Sequence, residues 1–328
     1  MIASSSRRLF LLVHFLASPK KVFASPAPSL FDPTLCSASE QSLAYVNKGN
    51  NPEGQKPPMR AWMCSGKTHK EMVDKLTSAG IVKAPINREA MLSVDRRNYV
   101  IDKSHAYDDS PQTIGYGATI SAPHMHAHVL EDLLPSLLRA SRDHPTKPLR
   151  ILDVGCGSGY LTAVFGRMVH PKKDNNRKSL LPSLSPSASL LNDGKVFGID
   201  VIPQLVQMSA RNIMKEDGDL LDSNIVEVAV RDGWKGFPEG APYNAIHVGA
   251  AAATFPIELM KQLAVGGIMV VPVGPDGGEQ YLYQVERVGD QGQVVGEVGS
   301  DDSKGFQEDD YNVRRVLGVR YVPLVRAD

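Results

Sequence analysis

Hydrophobic and polar positions divide the second half of the chain into short apolar runs and longer amphipathic stretches. The apolar runs are bounded by glycine, proline or polar residues and predict strands, whereas apolar residues three and four positions apart predict helices. The strands are predicted at 149–154, 195–199, 225–230, 245–248, 268–273 (after a turn at Gly266-Gly267), 281–288 and 316–324. The helices are predicted at 160–169, 203–214 and 256–263. Because the two alternate, the predicted fold class is α/β with a doubly wound, mostly parallel sheet.

Two helices are predicted ahead of this sheet, as an N-terminal helical extension. Thr68 and Glu71 have the spacing of a capping box, in which the Thr hydroxyl accepts from the backbone N–H of Glu71 and the Glu carboxylate reaches back. Apolar residues then recur at helical spacing as far as Gly80, which is a typical helix stop. A second helix is predicted at 87–94.

The segment from Asp108 to Pro123 has no helical period and is rich in glycine, proline and small polar residues. We expect a structured loop with short extended pieces here, followed by a long helix. Ser121 is placed to cap that helix, and Pro123 suits its first turn. The apolar face of the helix is predicted to consist of Met125, Val129, Leu130, Leu133, Leu134, Leu137 and Leu138.

Two parts of the chain have the composition of segments outside a folded core. Residues 1–58 are predicted to be a leader and a disordered linker, and the folded domain is predicted to span 59–328, with order beginning near Ala61. Arg7 and Arg8 precede an apolar run too short to cross a membrane, which is typical of a targeting peptide; a leader without an address is the alternative. The Ser/Pro-rich stretch 171–192 is predicted to be a flexible surface insertion, and a phosphorylation site within it stays open.

Composition and charge add a few constraints. The chain has 328 residues, 42% of them hydrophobic, so it can bury a full core. Lys+Arg and Asp+Glu both total 36, and this balance gives no electrostatic reason to expect nucleic acid as a partner. The cysteines number 3, too few for a disulfide framework, and reduced thiols are expected. No metal site is predicted, because His124, His126 and His128 lack a suitably spaced acidic ligand; His247 is expected to be a satisfied core residue.

Candidate chemistry begins where the first predicted strand ends. Gly155, Gly157 and Gly159 closely follow Asp153, and they permit a tight turn into the next helix with close approach of the backbone to a ligand. A dinucleotide site would have its third glycine where this chain has Tyr160. The turn therefore favours S-adenosylmethionine over a dinucleotide as the cofactor.

Acidic residues also end the next two predicted strands. Asp200 ends the second, where a carboxylate can accept hydrogen bonds from ribose hydroxyls. Asp232 ends the third, where it could meet an adenine amino group together with Gly233. Each acid alone could be a simple turn residue. Three acids at successive strand ends favour an adenosyl site, because ligands bind at the carboxyl ends of such sheets.

Several segments together resemble the protein-L-isoaspartate (D-aspartate) O-methyltransferase family. They are D-S-P-Q-T-I-G-Y-G-A-T-I-S-A-P-H-M-H (Asp109 to His126), L-D-V-G-C-G-S-G (Leu152 to Gly159), A-I-H-V-G-A-A-A (Ala245 to Ala252), V-P-V-G-P (Val271 to Pro275) and Y-V-P-L (Tyr321 to Leu324). The resemblance runs from about Ala61 to Leu324 and implies the class I S-adenosylmethionine-dependent methyltransferase (Rossmann-like) fold.

The resemblance also implies residue roles and an activity. Ser121 corresponds to the active-site serine, and together with the glycine turn the cofactor-binding set is Ala118, Thr119, Ile120, Ser121, His126, Asp153, Gly155, Gly157, Asp200, Asp232 and Gly233. The implied reaction moves a methyl group from S-adenosylmethionine, giving S-adenosylhomocysteine, to the α-carboxylate of L-isoaspartyl and D-aspartyl residues in damaged proteins. Repair then proceeds through a succinimide. The family default is the cytoplasm, unless residues 1–27 direct the chain to an organelle or the secretory pathway.

Two residues depart from the family pattern. Asn244 stands where Asp is usual, and Val325 stands where a Thr or Ser usually follows Y-V-P-L. Val325 removes a hydroxyl close to the expected substrate position, so two alternatives stay open: a carboxyl methyltransferase for another substrate, and a non-catalytic S-adenosylmethionine-binding adaptor. The sequence carries no strong oligomer signal, and a monomer without stable membrane association is expected.

Overall fold

The computed structural model of the chain describes residues 64–170, 191, 193–289 and 310–327. These residues contain one seven-stranded sheet, a separate two-stranded hairpin and α-helices on the faces of the large sheet. The predicted leader and linker at 1–58, Ala61 and nearly all of the predicted insertion at 171–192 lie outside the described residues. Within the described ranges, no helix combines the length and the apolar character needed to cross a membrane.

The bounds of the elements follow the predicted order closely. The helices are α1 His69–Ser78, α2 Pro85–Ser93, α3 Pro123–Asp143, α4 Tyr160–Val169, α5 Pro203–Glu216, α6 Asp219–Asp222 and α7 Ile257–Lys261. The strands are β1 Gln112–Gly115, β2 Ala118–Ile120, β3 Leu149–Val154, β4 Gly194–Asp200, β5 Val226–Val230, β6 Tyr243–Val248, β7 Leu263–Val273, β8 Gln280–Arg287 and β9 Tyr311–Val319. The predicted α/β alternation is confirmed, and the short helix α6 is an element that the pattern did not predict.

The large sheet has the strand order β5-β4-β3-β6-β7-β8-β9. The strands from β5 to β7 are parallel, and β8 and β9 extend the sheet as an antiparallel meander. In the centre, Val154 of β3 pairs with Ile199 of β4 on one side and Val248 of β6 on the other. Because the strand order reverses direction at β3, a crevice opens outside the carboxyl ends of β3 and β6.

Side chains of β3 alternate between two apolar cores, one on each face of the sheet. Ile151 belongs to the core that helices α1 to α6 complete. Leu152 and Val154 belong to the opposite core, which includes residues of α7. Since both faces of β3 are covered, its sequence is an almost continuous apolar run rather than an alternating one.

The structure corrects two predictions near β7. The helix predicted at 256–263 ends earlier, at Lys261, and the turn predicted at Gly266-Gly267 is wrong, because both glycines lie inside β7. Tyr243 pairs with Leu263 whereas Ala245 pairs with Ile268, so β7 carries extra residues opposite β6. The left-handed backbone of Gly266, with φ of +78°, accommodates this bulge.

The last strand also lies earlier than the predicted 316–324, because β9 ends at Val319. The segment that follows runs beside Ala251, whose N–H donates to the carbonyl of Val322 at 2.8 Å and whose carbonyl accepts from Leu324 N–H at 2.8 Å. Pro323 cannot donate to a strand ladder, which favours this irregular course. The segment 321–326 thereby reaches the carboxyl end of β6.

At the start of α1, one of the two hydrogen bonds of the predicted capping box is confirmed and the other is not. The Thr68 hydroxyl accepts from Glu71 N–H at 3.2 Å, but the Glu71 carboxylate accepts from Lys67 N–H at 2.8 Å rather than from Thr68. Gly80 has φ of +71°, as expected for the residue that ends a helix.

Candidate active site

A cleft opens at the carboxyl ends of β3 and β6, against the β1–β2 hairpin and the start of α3. Its empty volume is about 320 Å³ including the open mouth, at the small end of the range for ligand sites. It is lined by Thr119, Ile120, Ser121, His126, Gly155, Cys156, Gly157, Ser158, Tyr160, Leu161, His247 and Gly249. Two segments that the sequence singled out, the hairpin ending at Ser121 and the glycine turn, therefore meet across one cleft.

The turn from β3 into α4 forms one wall of the cleft. Gly155 N–H and Cys156 N–H both donate to the carbonyl of Ile199, at 2.8 and 3.0 Å, which ties the turn to β4. Gly159 has φ of +87°, and a Cβ there would lie 2.3 Å from the Ser209 hydroxyl oxygen, so only glycine is tolerated. The tight turn predicted from the pattern is confirmed. The first N–H groups of α4 lack intrahelical partners and favour a ligand group rich in acceptors at this end.

Asp200 stands at the end of β4, beside the turn. Its Oδ2 accepts from Gly157 N–H at 3.1 Å and its Oδ1 from Ile202 N–H at 3.0 Å. Burial raises the pKa of this carboxyl, and the two backbone hydrogen bonds act in the opposite direction. Each carboxylate oxygen can accept a second hydrogen bond, so the arrangement suits the predicted ribose contact, which stays a prediction.

Asp153 lies behind the cleft rather than in its lining. Its Oδ2 accepts from the Thr162 hydroxyl at 2.5 Å, and its Oδ1 lies 2.7 Å from Nδ1 of His247. The side chain therefore joins β3, α4 and β6 in the core. Because both oxygens have protein partners, the structure gives Asp153 the role of orienting His247, and the predicted direct cofactor contact stays untested.

Ser121 occupies the junction between β2 and α3. The prediction that it caps α3 is wrong: the N-cap position is Ala122, and the carboxylate of buried Asp109 accepts from His124 N–H at 2.9 Å instead. The Ser121 hydroxyl interacts with the phenol of Tyr321. Burial raises the pKa of Tyr321 to about 12, and this hydrogen bond with Ser121 acts in the opposite direction. The serine is thus held between the cleft and the C-terminal segment.

Five predicted cofactor residues are not among those that line the cleft: Ala118, Asp153, Asp200, Asp232 and Gly233. The Asp232 carboxylate accepts from Trp234 N–H at 2.9 Å in a local turn. A Cβ on Gly233 would lie 2.8 Å from Val154 Cγ1, so its backbone passes close to the end of β3. This neighbourhood is consistent with an adenine contact, which stays a prediction.

Several lining residues were not assigned to the site from the sequence. They are Cys156, Ser158, Tyr160, Leu161, His247 and Gly249. The first four follow from the glycine turn, since residues within and just after it must face the same ligand. The assignment of His247 as a satisfied core residue was incomplete, because this histidine is satisfied by Asp153 and also lines the cleft. Its pairing joins positions far apart in the chain, which no local pattern reveals.

The histidines of α3 are buried. His124 Nδ1 lies 2.8 Å from Asp109 Oδ1 and is engaged there. Burial holds the pKa of His128 at about 4 and that of His126 well below its ordinary value. Among the residues that the structure describes, no group of three or more His, Cys, Asp or Glu side chains is placed to hold a metal ion.

The residues present suit an adenosyl cofactor with an amino-acid end. Gly155 and Gly157 of the glycine turn line the cleft and present bare backbone to a ligand. Asp200 is placed for hydroxyl groups, and the described lining carries no carboxylate or lysine that would oppose a zwitterionic ligand. The sheet order, the glycine turn and the cleft together define a class I S-adenosylmethionine-dependent methyltransferase.

Comparison with known proteins specifies the family. The profile of the protein-L-isoaspartate(D-aspartate) O-methyltransferase family matches residues 67–301. A protein-L-isoaspartate O-methyltransferase from Caenorhabditis elegans is 39% identical over 228 residues, covering 70% of this chain and 88% of that protein. Protein-L-isoaspartate O-methyltransferase 1 from Arabidopsis thaliana is 38% identical over 257 residues, covering 78% and 90%.

A solved structure supports the same assignment. The crystal structure of a protein-L-isoaspartate O-methyltransferase from Plasmodium falciparum in complex with S-adenosyl-L-homocysteine matches with a TM-score of 0.59 and 26% identity. The match covers 79% of this chain and 99% of that one. This chain belongs to the protein-L-isoaspartate(D-aspartate) O-methyltransferase family.

Proposed function

We propose that this protein transfers the methyl group of S-adenosylmethionine to the α-carboxylate of L-isoaspartyl residues, and of D-aspartyl residues, in damaged proteins and peptides. The backbone amide nitrogen then attacks the ester carbonyl and expels methanol, and hydrolysis of the resulting succinimide gives normal aspartate in part. The observation that carries the proposal is the meeting of Ser121 with the glycine turn across one cleft. The turn suits the cofactor, and the hairpin of the family motif supplies the substrate side.

The reaction needs no general base from the protein. The substrate α-carboxylate is already ionised near neutral pH. When bound, the cofactor supplies an electrophilic methyl group on a sulfonium. The protein's contribution is to hold the carboxylate oxygen in line with that methyl group, a task of positioning.

The described cleft is built for positioning rather than proton transfer. It contains no lysine, arginine or carboxylate side chain among its described lining, and of its two histidines His126 is held neutral by burial. The Ser121 hydroxyl can donate to one oxygen of the substrate carboxylate and leave the other free to attack. Tyr321, which interacts with Ser121, restrains that hydroxyl.

The test uses the full chain, radiolabelled S-adenosylmethionine and paired peptides that differ only in containing isoaspartate or aspartate. We expect label to enter the isoaspartyl peptide as a base-labile ester and the aspartyl peptide to stay at background. Equal labelling of both peptides would contradict the proposal, as would labelling of neither.

One observation favours a second candidate, a carboxyl methyltransferase for another substrate. Val325 is 55% exposed and offers no hydroxyl on the C-terminal segment that adjoins the cleft. Labelling of small carboxylates or other proteins, with both peptides at background, would support this candidate. Cofactor binding without any methyl acceptor would support an adaptor instead.

We also propose that the protein works as a cytoplasmic monomer on protein substrates, without stable membrane or nucleic-acid association. The family resemblance and the balanced charge of the chain support this view. Light scattering after size exclusion should give the mass of one chain. A fluorescent fusion of the whole chain should fill the cytoplasm; accumulation in an organelle that is lost when residues 1–27 are removed would show a targeting peptide instead.

A further inference from the structure

Arg96 is a buried cation that forms no ion pair with another described residue, although the charge of Asp109 acts on it. It lies in a 3₁₀ turn (Arg96–Asn98) after α2 and is 0% exposed. Its Nε and Nη2 make no hydrogen bond. Its Nη1 approaches Nδ1 of His126 at 3.5 Å, and its guanidinium carbon lies 5.5 Å from the centre of the Tyr160 ring. Burying a charge without an ion-pair partner destabilises the fold. The contacts of Arg96 with His126 and Tyr160, which both line the cleft, therefore point to a role in that cleft.

The contact with His126 determines the state of that imidazole. A guanidinium can only donate, so Nδ1 of His126 must be the acceptor and carry no proton. The neutral ring then carries its proton on Nε2. A doubly protonated ring would place two cationic donors against each other, which this contact disfavours.

The other neighbours of His126 act in the same direction. Burial has the largest effect and lowers the pKa of His126, and the charges of Arg96, His247 and His124 lower it further. The Tyr160 ring packs against the His126 ring at an angle of 47°, with centroids 5.1 Å apart, and restricts its orientation. No carboxylate among the described residues is an ion-pair partner of His126, so no ion pair favours the protonated form of the imidazole.

We propose that Arg96 is a positioning residue of the cleft: by donating to Nδ1 it fixes His126 as the Nε2–H tautomer, a neutral donor for the amino-acid carboxylate of the cofactor. The proposal rests on the function proposed above and deepens it. His126 lines the cleft together with Ser121, whereas Asp200, which suits the ribose, lies beside the glycine turn and outside that lining. The amino-acid end of the cofactor is the part that carries an acceptor carboxylate.

The first test measures the tautomer in the unmodified protein. Nitrogen-15 NMR of histidine-labelled enzyme, with the His126 resonances assigned by loss in His126→Gln, should show an unprotonated Nδ1 and a protonated Nε2 from about pH 6 to pH 8. A protonated Nδ1, or titration of His126 in this range, would overturn the proposal. The measurement needs no Arg96 variant and so does not depend on how such a variant folds.

The second test separates the amino-acid end of the ligand from the adenosine end. Calorimetry compares S-adenosylhomocysteine with 5′-methylthioadenosine, which lacks the amino-acid group. Arg96→Met should weaken binding of the first by about tenfold and leave binding of the second unchanged. The matched control is Arg97→Met, at the exposed neighbouring position, which should change neither. Equal weakening of both ligands, or of neither, would show that Arg96 has no positioning role.

A double variant tests whether Arg96 acts through His126. If it does, Arg96→Met combined with His126→Gln should weaken S-adenosylhomocysteine binding no more than His126→Gln alone. Additive losses would contradict the proposal. Arg96→Lys keeps the charge without the planar fork and should give an intermediate affinity and a mixed tautomer. Labelling of the isoaspartyl peptide by the unmodified enzyme tests the function separately and does not depend on these results.

Discussion

Oδ1 of Asp109 lies 2.9 Å from the backbone nitrogen of His124 and 2.8 Å from Nδ1 of the same residue. One carboxylate oxygen thus both caps α3 and orients the histidine of its first turn. The contact closes the segment from Asp109 to His124, which contains the β1–β2 hairpin and Ser121. Because Asp109 performs the cap, the hydroxyl of Ser121 is not engaged at the helix end, and the residue lines the cleft.

Asp109→Ala should therefore destabilise the fold and displace the loop together. Asp109 is 0% exposed, and loss of a charged cap with its histidine contact corresponds to about 2 kcal/mol in the free energy of unfolding. Urea denaturation measures this loss. Asp109→Asn retains an acceptor and should lose less. The control is Asp143→Ala at the exposed far end of the same helix; equal losses in the two alanine variants would contradict the cap.

Ser121→Ala should lower kcat by about tenfold while S-adenosylhomocysteine affinity stays within a few-fold. Ser121 belongs to the predicted cofactor-binding set, but its main role is expected to be orienting the substrate carboxylate. Steady-state kinetics and calorimetry on the same preparation measure both quantities. Ser78→Ala, at the exposed end of α1, is the control and should match the unmodified enzyme. A loss of affinity as large as the loss of kcat would assign Ser121 to the cofactor instead.

Asp200→Ala should weaken cofactor binding first, since its carboxylate is placed to accept ribose hydroxyls. Burial raises the pKa of Asp200, so protonation removes an acceptor at a higher pH than for an ordinary aspartate. The affinity of the unmodified enzyme for S-adenosylhomocysteine should therefore fall on acidification, and Asp200→Asn should lack this dependence. Calorimetry across pH checks it, with Asp193→Asn at the exposed opposite end of β4 as control. Full affinity in Asp200→Ala would exclude the ribose role.

Asp132 should make stability depend on pH. Burial raises its pKa to about 6, and the charges of Arg314 and Lys83 act against this. Between about pH 4 and pH 6 the native state binds more protons than the unfolded state, so this contribution to stability falls as the pH rises. Asp132→Asn should be more stable by about 1–2 kcal/mol near neutral pH and equal to the unmodified protein below about pH 4. Denaturant titrations at several pH values check this, and a constant difference at every pH would contradict it.

Val325→Thr should restore a hydroxyl beside the expected substrate position. The KM for an isoaspartyl peptide should fall by a few-fold, with S-adenosylhomocysteine affinity unchanged. Kinetics with saturating cofactor measure this effect. Val288→Thr is the matched control, because Val288 is also exposed, at 43% against 55% for Val325, but lies at the end of β8. An unchanged KM would mean that this position does not contact the substrate.

Asn244 shows how the tertiary context resolves a departure from the family pattern. Its side-chain oxygen accepts from the backbone N–H of Arg150 on β3 at 2.9 Å. An amide oxygen can fill the acceptor role of a carboxylate at this place. The substitution therefore leaves the pairing of β3 and β6 intact.

The sequence by itself determined the parts of the protein that depend on local chemistry. The apolar run of β3 and the glycines that follow predicted the strand, the turn and α4, because left-handed backbone and burial on both faces restrict residue types locally. The motif from Asp109 to His126 indicated the family for the same reason, since its residues act within one short stretch.

Only the tertiary structure decided which residues act together across long separations. Asp153 orients His247, and Arg96 fixes the tautomer of His126, through contacts between elements that the sequence places far apart. The course of segment 321–326 beside Ala251 was also set this way, against the strand that its apolar pattern predicted. Such contacts depend on how the sheet brings its strand ends together. Residue spacing along the chain does not predict which strand ends will be neighbours, so these contacts could not be predicted from the sequence.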